Sequence, residues 1–264
     1  MLEASFALLF GLLIGSFLNV CIYRLPQDLS VVRPRSYCVA CRQPIAWYDN
    51  VPVLSYVLLR GRCRACGAAI SIRYPAVELL TGALFFACVW RLGATPLAGK
   101  FCLYSALLVG LTFSDLEARI LPDEFTLGGT AAGLLLAWFV PFKRDIAQEL
   151  LWLAGARWSE RWISAAAALA GAAAPAFCLW LVGWLYLKLR HREGLGLGDV
   201  KLVAMVGAFV GLQGALLTLI AGSLAGSLIG FAYIRIKHKD PATYELPFGT
   251  FLGAAAIAVS FMFW

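Results

Sequence analysis

Charge is scarce in this 264-residue chain, where Asp, Glu, Lys and Arg together make up 14%. A soluble domain carries about 25%, so a soluble globule is excluded. With 61% apolar residues and a mean hydropathy of +0.80, the composition is that of an all-α polytopic membrane protein. Internal repeats are missing, and no low-complexity tract stands out beyond the Ala-rich stretch 165–174. Before the first apolar segment, Ala4 to Cys21, come Met1, Leu2 and Glu3, with no basic residue, and no small-x-small cleavage site is evident. That segment is expected to stay as a helix rather than be removed as a signal peptide. A Gly-rich nucleotide loop of the Rossmann kind is also absent. The net charge of +7 would suggest nucleic acid in a soluble protein. In a membrane protein it reflects Lys and Arg in cytoplasmic loops, and no nucleic-acid partner is expected.

Hydropathy predicts about eight transmembrane helices, near 4–22, 76–92, 98–115, 124–141, 164–188, 199–212, 214–234 and 247–264. The run from Val200 to Ile234 would measure about 52 Å as one helix, too long for a hydrocarbon core of about 30 Å. Gly211-Leu212-Gln213-Gly214 is the expected break. With the loop after the first span inside, the inner loops hold sixteen Lys and Arg, Lys239 among them, against six outside, including Lys143 and Arg144. Positive residues favour the cytoplasmic side, so both termini are expected outside. Segment 142–163, with Trp152, Trp158 and Trp162, reads either as a helix lying in the outer interface or as an aromatic belt at a helix end. Gly222 and Gly226 have the spacing of a helix-packing pair.

The chain divides into a first helix (1–23), a polar cytoplasmic insertion (24–75) and a seven-helix membrane domain (76–264). The insertion contains Cys38-Val-Ala-Cys41, then 21 residues, then Cys63-Arg-Ala-Cys66. Four thiolates in two such knuckles close a tetrahedral structural zinc site, which leaves no open position for chemistry. Disulfides are the rival, disfavoured in a reducing cytosol. Cys21, Cys88, Cys102 and Cys178 lie in apolar spans and read as packing residues. After the insertion, Pro75 opens the next helix and Glu78 complements its positive end, or else contacts a ligand.

Two acids stand where apolar runs meet polar loops. Asp199 follows the glycines of Gly194-Leu-Gly196-Leu-Gly198, and Asp115 ends an apolar helix, where a carboxylate faces the wrong pole of the dipole. An intramembrane acid is costly and marks function. Two spans separate the acids, so both are expected on the cytoplasmic face. Two carboxylates that close together share one proton, an arrangement that activates water against an amide. It serves a proton-coupled transporter equally well, but the expected repeated halves are not visible. Glycine beside the acid admits an extended peptide backbone, which tilts the choice to a protease. Asp123 reads as an N-cap, and Glu117 and Arg119 as solvated loop charges. Lys201 either faces lipid phosphate or acts on the charge of Asp199.

Taken in order, the motifs resemble those of the type IV prepilin peptidases. They are Gly15-Ser-Phe-Leu-Asn19 through Pro26, the four Cys, Arg73-Tyr-Pro-Ala-Val-Glu78-Leu79, Asp115 through Pro122-Asp123, and Gly196-Leu-Gly198-Asp199-Val-Lys201-Leu202. The last is the Gly-x-Gly-Asp signature shared with presenilin-like intramembrane aspartyl proteases. The resemblance implies a multi-pass enzyme of the bacterial inner membrane with its active site facing the cytoplasm. Such an enzyme cuts the basic leader from prepilins or pseudopilins and methylates the new N-terminus with S-adenosyl-methionine. It maps Asp115 and Asp199 onto the catalytic pair. A peptidase-only relative would lack the insertion. Gly196, Gly198, Lys201, Glu117, Asp123 and Glu78 are the further candidates around the substrate, with acids offsetting the inner basic surface for a basic leader.

Overall fold

The computed structural model describes residues 1–142, 145–192, 194–237 and 246–264. Lys143, Arg144 and Lys239, used in the charge count, lie outside the described residues. The chain is helical: α1 (Leu2–Arg24), α2 (Leu54–Leu58), α3 (Arg73–Leu92), α4 (Pro96–Ala118), α5 (Asp123–Phe139), α6 (Ile146–Leu153), α7 (Glu160–Arg190), α8 (Leu197–Ile236) and α9 (Phe248–Ser260). Among the described residues the only β pairing is two isolated bridges in the insertion. Five helices among the described residues are long and apolar enough to cross a membrane: α1, α3, α4, α7 and α8. The 17-residue α5 and 13-residue α9 fall short of that length. Each of the eight expected stretches is nonetheless helical, because α8 supplies two of them. Its path breaks at Gly211, where φ is 75° and ψ −174°, a conformation only glycine adopts without strain. Segment 142–163 holds the short α6, whose Trp152 is exposed, and the start of α7.

The chain folds as two compact units, Met1–Phe113 and Ser114–Trp264. In the first, α1 lies along α3. A Cβ on Gly15 would stand 2.6 Å from the Cα of Glu78, and one on Gly11 2.8 Å from the Cα of Gly82. Close backbone approach of this kind replaces the hydrophobic effect as the packing force between helices in lipid. The buried Asn19 amide secures the contact by donating to the Tyr74 carbonyl at 3.0 Å and to that of Gly15 at 3.3 Å. Cys21 and Cys88 are buried, Cys102 half-buried and Cys178 exposed.

In the second unit α8 is the central helix, packed by α5, α7 and α9. It crosses α7 at Gly207, where any side chain would collide with the Gly171 backbone. Gly222 and Gly226 lie against Leu252 and Phe251 of α9, the packing role their spacing suggested. Asp145, which no sequence pattern singled out, secures the break in α8. Its Oδ1 accepts the amide of Gln213 at 3.0 Å, a donor that the kink at Gly211 has released from the helix ladder. The other oxygen caps α6 by accepting the Ala147 amide at 2.9 Å. Asp145 is 2% exposed, so removing it strands a buried donor. An unsatisfied buried group costs about 1–3 kcal/mol and a lost cap about 1 kcal/mol. Asp145→Ala is therefore expected to lower the thermal midpoint in detergent clearly more than Asp145→Asn, which keeps an acceptor oxygen.

Candidate functional site

In the second unit the end of α4 and the starts of α5, α8 and α9 converge. Asp115 sits in the last turn of α4, 6% exposed. That helix stops because Arg119 turns into the left-handed region (φ 55°), while the Ser114 hydroxyl donates to the Ile120 carbonyl at 3.0 Å and folds the loop back. Asp115 faces the negative pole of its own helix, as expected, and has a second set of partners. Its Oδ2 accepts two hydrogen bonds from Thr250, in the first turn of α9: the amide at 2.6 Å and the hydroxyl at 2.8 Å. A carboxylate at a helix N-terminus meets the positive pole, so α9 compensates what α4 opposes. Thr250 escaped the sequence reading because it is 135 residues away and carries no charge.

Asp199 is half-buried in the first turn of α8, and the Asp115 carboxylate lies within electrostatic reach of it. The two are also linked through Leu121. Its side chain lies 3.0 Å from where a Cβ on Gly249 would be, and 3.2 Å from that of Gly198. Three glycines thus do three different jobs. Gly194 lies against the Tyr186 ring, Gly198 makes room for Leu121, and Gly196 leaves the Asp199 carboxylate uncovered, with Oδ2 3.6 Å from its Cβ position.

Asp123 and Lys201 pair with each other. The ammonium donates to both Asp123 oxygens, at 2.7 and 2.9 Å, so it is engaged by protein rather than left for lipid phosphate. The N-cap position of α5 belongs to Pro122, and Asp123 is the first helical residue with no capping hydrogen bond. With Lys201 on it, Asp123 is no longer a lone counter-charge for a basic peptide. Glu117 is exposed in the last turn of α4.

The remaining candidates belong to the first unit. Glu78 is buried, and its Oε2 accepts the Val53 amide at 2.7 Å, with the Ser16 hydroxyl as a further partner. It holds the insertion to α3 by a bond that fixes Val53 at a strained φ of 61°. The four cysteines of the insertion meet, with sulfurs all within 4.8 Å of one another. Cys38 Sγ and Cys66 Sγ are 3.9 Å apart, far from the roughly 2.05 Å of a disulfide. Tetrahedral thiolates at about 2.3 Å from zinc lie about 3.8 Å from each other, so this donor set fits zinc.

The knuckles match residue for residue. The Cys38 amide bonds the Gln43 carbonyl and that of Cys63 the Ala68 carbonyl; a β-bridge flanks each. Arg42 and Gly67, one place past the second Cys, both have positive φ (59° and 71°). Backbone amides of Cys66 and Ala65 bring the Cys63 thiol down to about 7. Cys66 is raised to about 11: the Ala68 amide pulls it down, but desolvation and the neighbouring sulfurs outweigh that pull. Beside the knuckles Arg64 clasps both Asp49 oxygens at 2.7 Å.

Asp123 is more than half exposed and Lys201 about a third, so solvent screens their attraction. A double-mutant cycle between Lys201→Ala and Asp123→Ala, read by thermal unfolding, is expected to give a coupling of no more than about 1 kcal/mol.

Comparison with known proteins agrees with this geometry. Residues 9–92 match the model of the bacterial peptidase A24 N-terminal domain and residues 102–231 that of the type IV leader peptidase family. A prepilin leader peptidase/N-methyltransferase of Myxococcus xanthus (strain DK1622) is 43% identical over 252 residues, 94% of this chain and 69% of that protein. Proteins of the same name match from Pseudomonas putida (34%, covering 95% and 88%) and Klebsiella pneumoniae (39%, covering 85% and 92%). No solved structure matches. With both family models aligned in order and these relatives matched over most of their length, the chain belongs to the type IV leader peptidase family.

Proposed function

We propose that this protein cleaves the basic leader from prepilins or pseudopilins at the cytoplasmic face of the inner membrane, through Asp115 and Asp199, and then N-methylates the exposed residue. What supports the catalytic pair is that two acids 84 positions apart in sequence, one on α4 and one on α8, come to one place, where Leu121 packs both on Gly198, next to Asp199, and on Gly249, which lies against Asp115. The ionised carboxylate takes a proton from water as the oxygen attacks the scissile carbonyl. The protonated partner gives its proton to the carbonyl oxygen, forming a diol. As the C–N bond breaks, the first carboxyl passes the proton taken from water to the leaving amine, and the partner takes one back from a diol hydroxyl. Two acids sharing one proton thus serve as base and acid in turn, with no covalent intermediate. Uncovered at Gly196, Asp199 is the member of the pair open to a peptide backbone.

Methyl transfer draws on S-adenosyl-methionine, and no residue is assigned to it. The domain reading is retained: 1–23 as the first helix, 24–75 as the metal-bearing insertion, 76–264 as the membrane domain, with both termini outside. In the insertion Cys38, Cys41, Cys63 and Cys66 would hold one structural zinc. Few apolar side chains are buried there, so metal binding supplies folding energy its core lacks.

Asp115→Asn and Asp199→Asn are each expected to insert and fold yet lose cleavage of a synthetic prepilin by at least about 1,000-fold, scored by intact mass. Processing by either variant at the normal rate would refute the pair. Metal analysis of the purified protein is expected to find one zinc per chain, lost together with resistance of residues 24–75 to proteolysis when Cys38 and Cys63 become Ser. Gly196→Leu is expected to keep the wild-type thermal midpoint, since nothing crowds that position, while blocking cleavage by covering Asp199.

A further inference from the structure

The sequence motifs account for α4 and α8 at the site, but not for α9. Its first turn reaches Asp115 in an unusual way. Three other helical threonines return their hydroxyls to the carbonyl four residues back: Thr81 to Val77, Thr126 to Pro122 and Thr130 to Thr126. Thr250 instead sends its hydroxyl and its amide to the same atom, Oδ2 of Asp115. The preceding residue makes this approach possible: a Cβ on Gly249 would stand 3.0 Å from Cγ of Asp115. An aspartate carboxyl turns freely about its last torsion, which is broad and two-fold. With two donors on one oxygen that rotation is stopped. Both lone pairs of Oδ2 are then occupied, and Oδ1 is the oxygen Thr250 leaves untouched.

We propose that the Gly249-Thr250 turn of α9 is the positioning element of the carboxylate pair. Gly249 admits the turn to Asp115, and Thr250 locks the carboxylate so that Oδ1 alone exchanges protons with the hydrolytic water. This rests on the reading of Asp115 and Asp199 as the catalytic pair. Thr250 touches Asp115 and not the reacting atoms, so it positions rather than reacts. Its role is to orient Asp115 rather than to hold substrate, so the loss of Thr250 is expected to fall on kcat.

The test uses the full-length enzyme in detergent with a synthetic prepilin, comparing Thr250→Val, Thr250→Ala and Thr250→Ser with the wild type and with Asp115→Asn. Val and Ala remove the hydroxyl and keep the amide. Each is expected to lower kcat about 10- to 100-fold with KM within about two-fold, assayed below a thermal midpoint that falls because a hydrogen bond to a buried carboxylate is lost. Ser restores the hydroxyl and is expected to bring kcat back to within about three-fold of wild type. Gly249→Ala, which forces the turn away from Asp115, is expected to reproduce the loss of kcat. Wild-type kcat in both Val and Ala, or a loss that Ser does not repair, overturns the proposal. If Asp115→Asn is inactive while those variants are normal, the positioning role alone fails. If Asp115→Asn still cleaves, the pair itself fails.

Discussion

The site depends on an acid held at the end of one helix by the beginning of another. Asp115 closes α4, where the backbone carbonyls repel it, and is stabilised there because α9 presents its opposite pole and two donors. Remove that compensation and a half-dry carboxylate at a membrane helix end is expensive. The arrangement requires three helix termini at one place. Small residues supply the room: Gly198 and Gly249 border the same leucine, and α8 reaches α7 through Gly171 and Gly207. In a medium where burial of apolar surface drives little helix association, contact between bare backbones decides where the acids lie.

The two units divide the chemistry between them. The four-cysteine knuckles and the Glu78 anchor lie in Met1–Phe113, and both acids in Ser114–Trp264. Within the first, Glu78 is explained by what it holds: one oxygen on the Val53 amide, in a loop with little apolar burial of its own. The four sulfurs organise that loop from the other side. A segment so poor in core needs such ties, and the Glu78 anchor is one of them.

Much of this was legible in the sequence. Hydropathy located every long helix, and the excess length of Val200–Ile234 predicted the break that Gly211 makes. Spacing alone brought the four cysteines together. The acids stood out because charge is conspicuous in an apolar chain. What escaped was whatever depends on partners distant in sequence. Asp145 looked like one more polar residue in a loop, and only the released amide of Gln213 explains its burial. Thr250 sits in an unremarkable Phe-Gly-Thr-Phe run. Lys201, read as facing lipid phosphate or acting on Asp199, and Asp123, read as a cap, are each other's partner across 78 residues. Local pattern reads what a residue is, whereas these roles follow from which helix ends meet.

The glycine crossing between α7 and α8 has a mechanical consequence. Gly207 lies eight residues from Asp199, about 12 Å along the helix, and no side chain cushions it from Gly171. Rods that touch backbone to backbone neither slide nor roll without clashing, so the acid-bearing end of α8 is a fixed anvil. In the proposed cleavage any yielding falls to the incoming chain, whose helix would unravel its own hydrogen bonds at the point of scission to lie across Gly196.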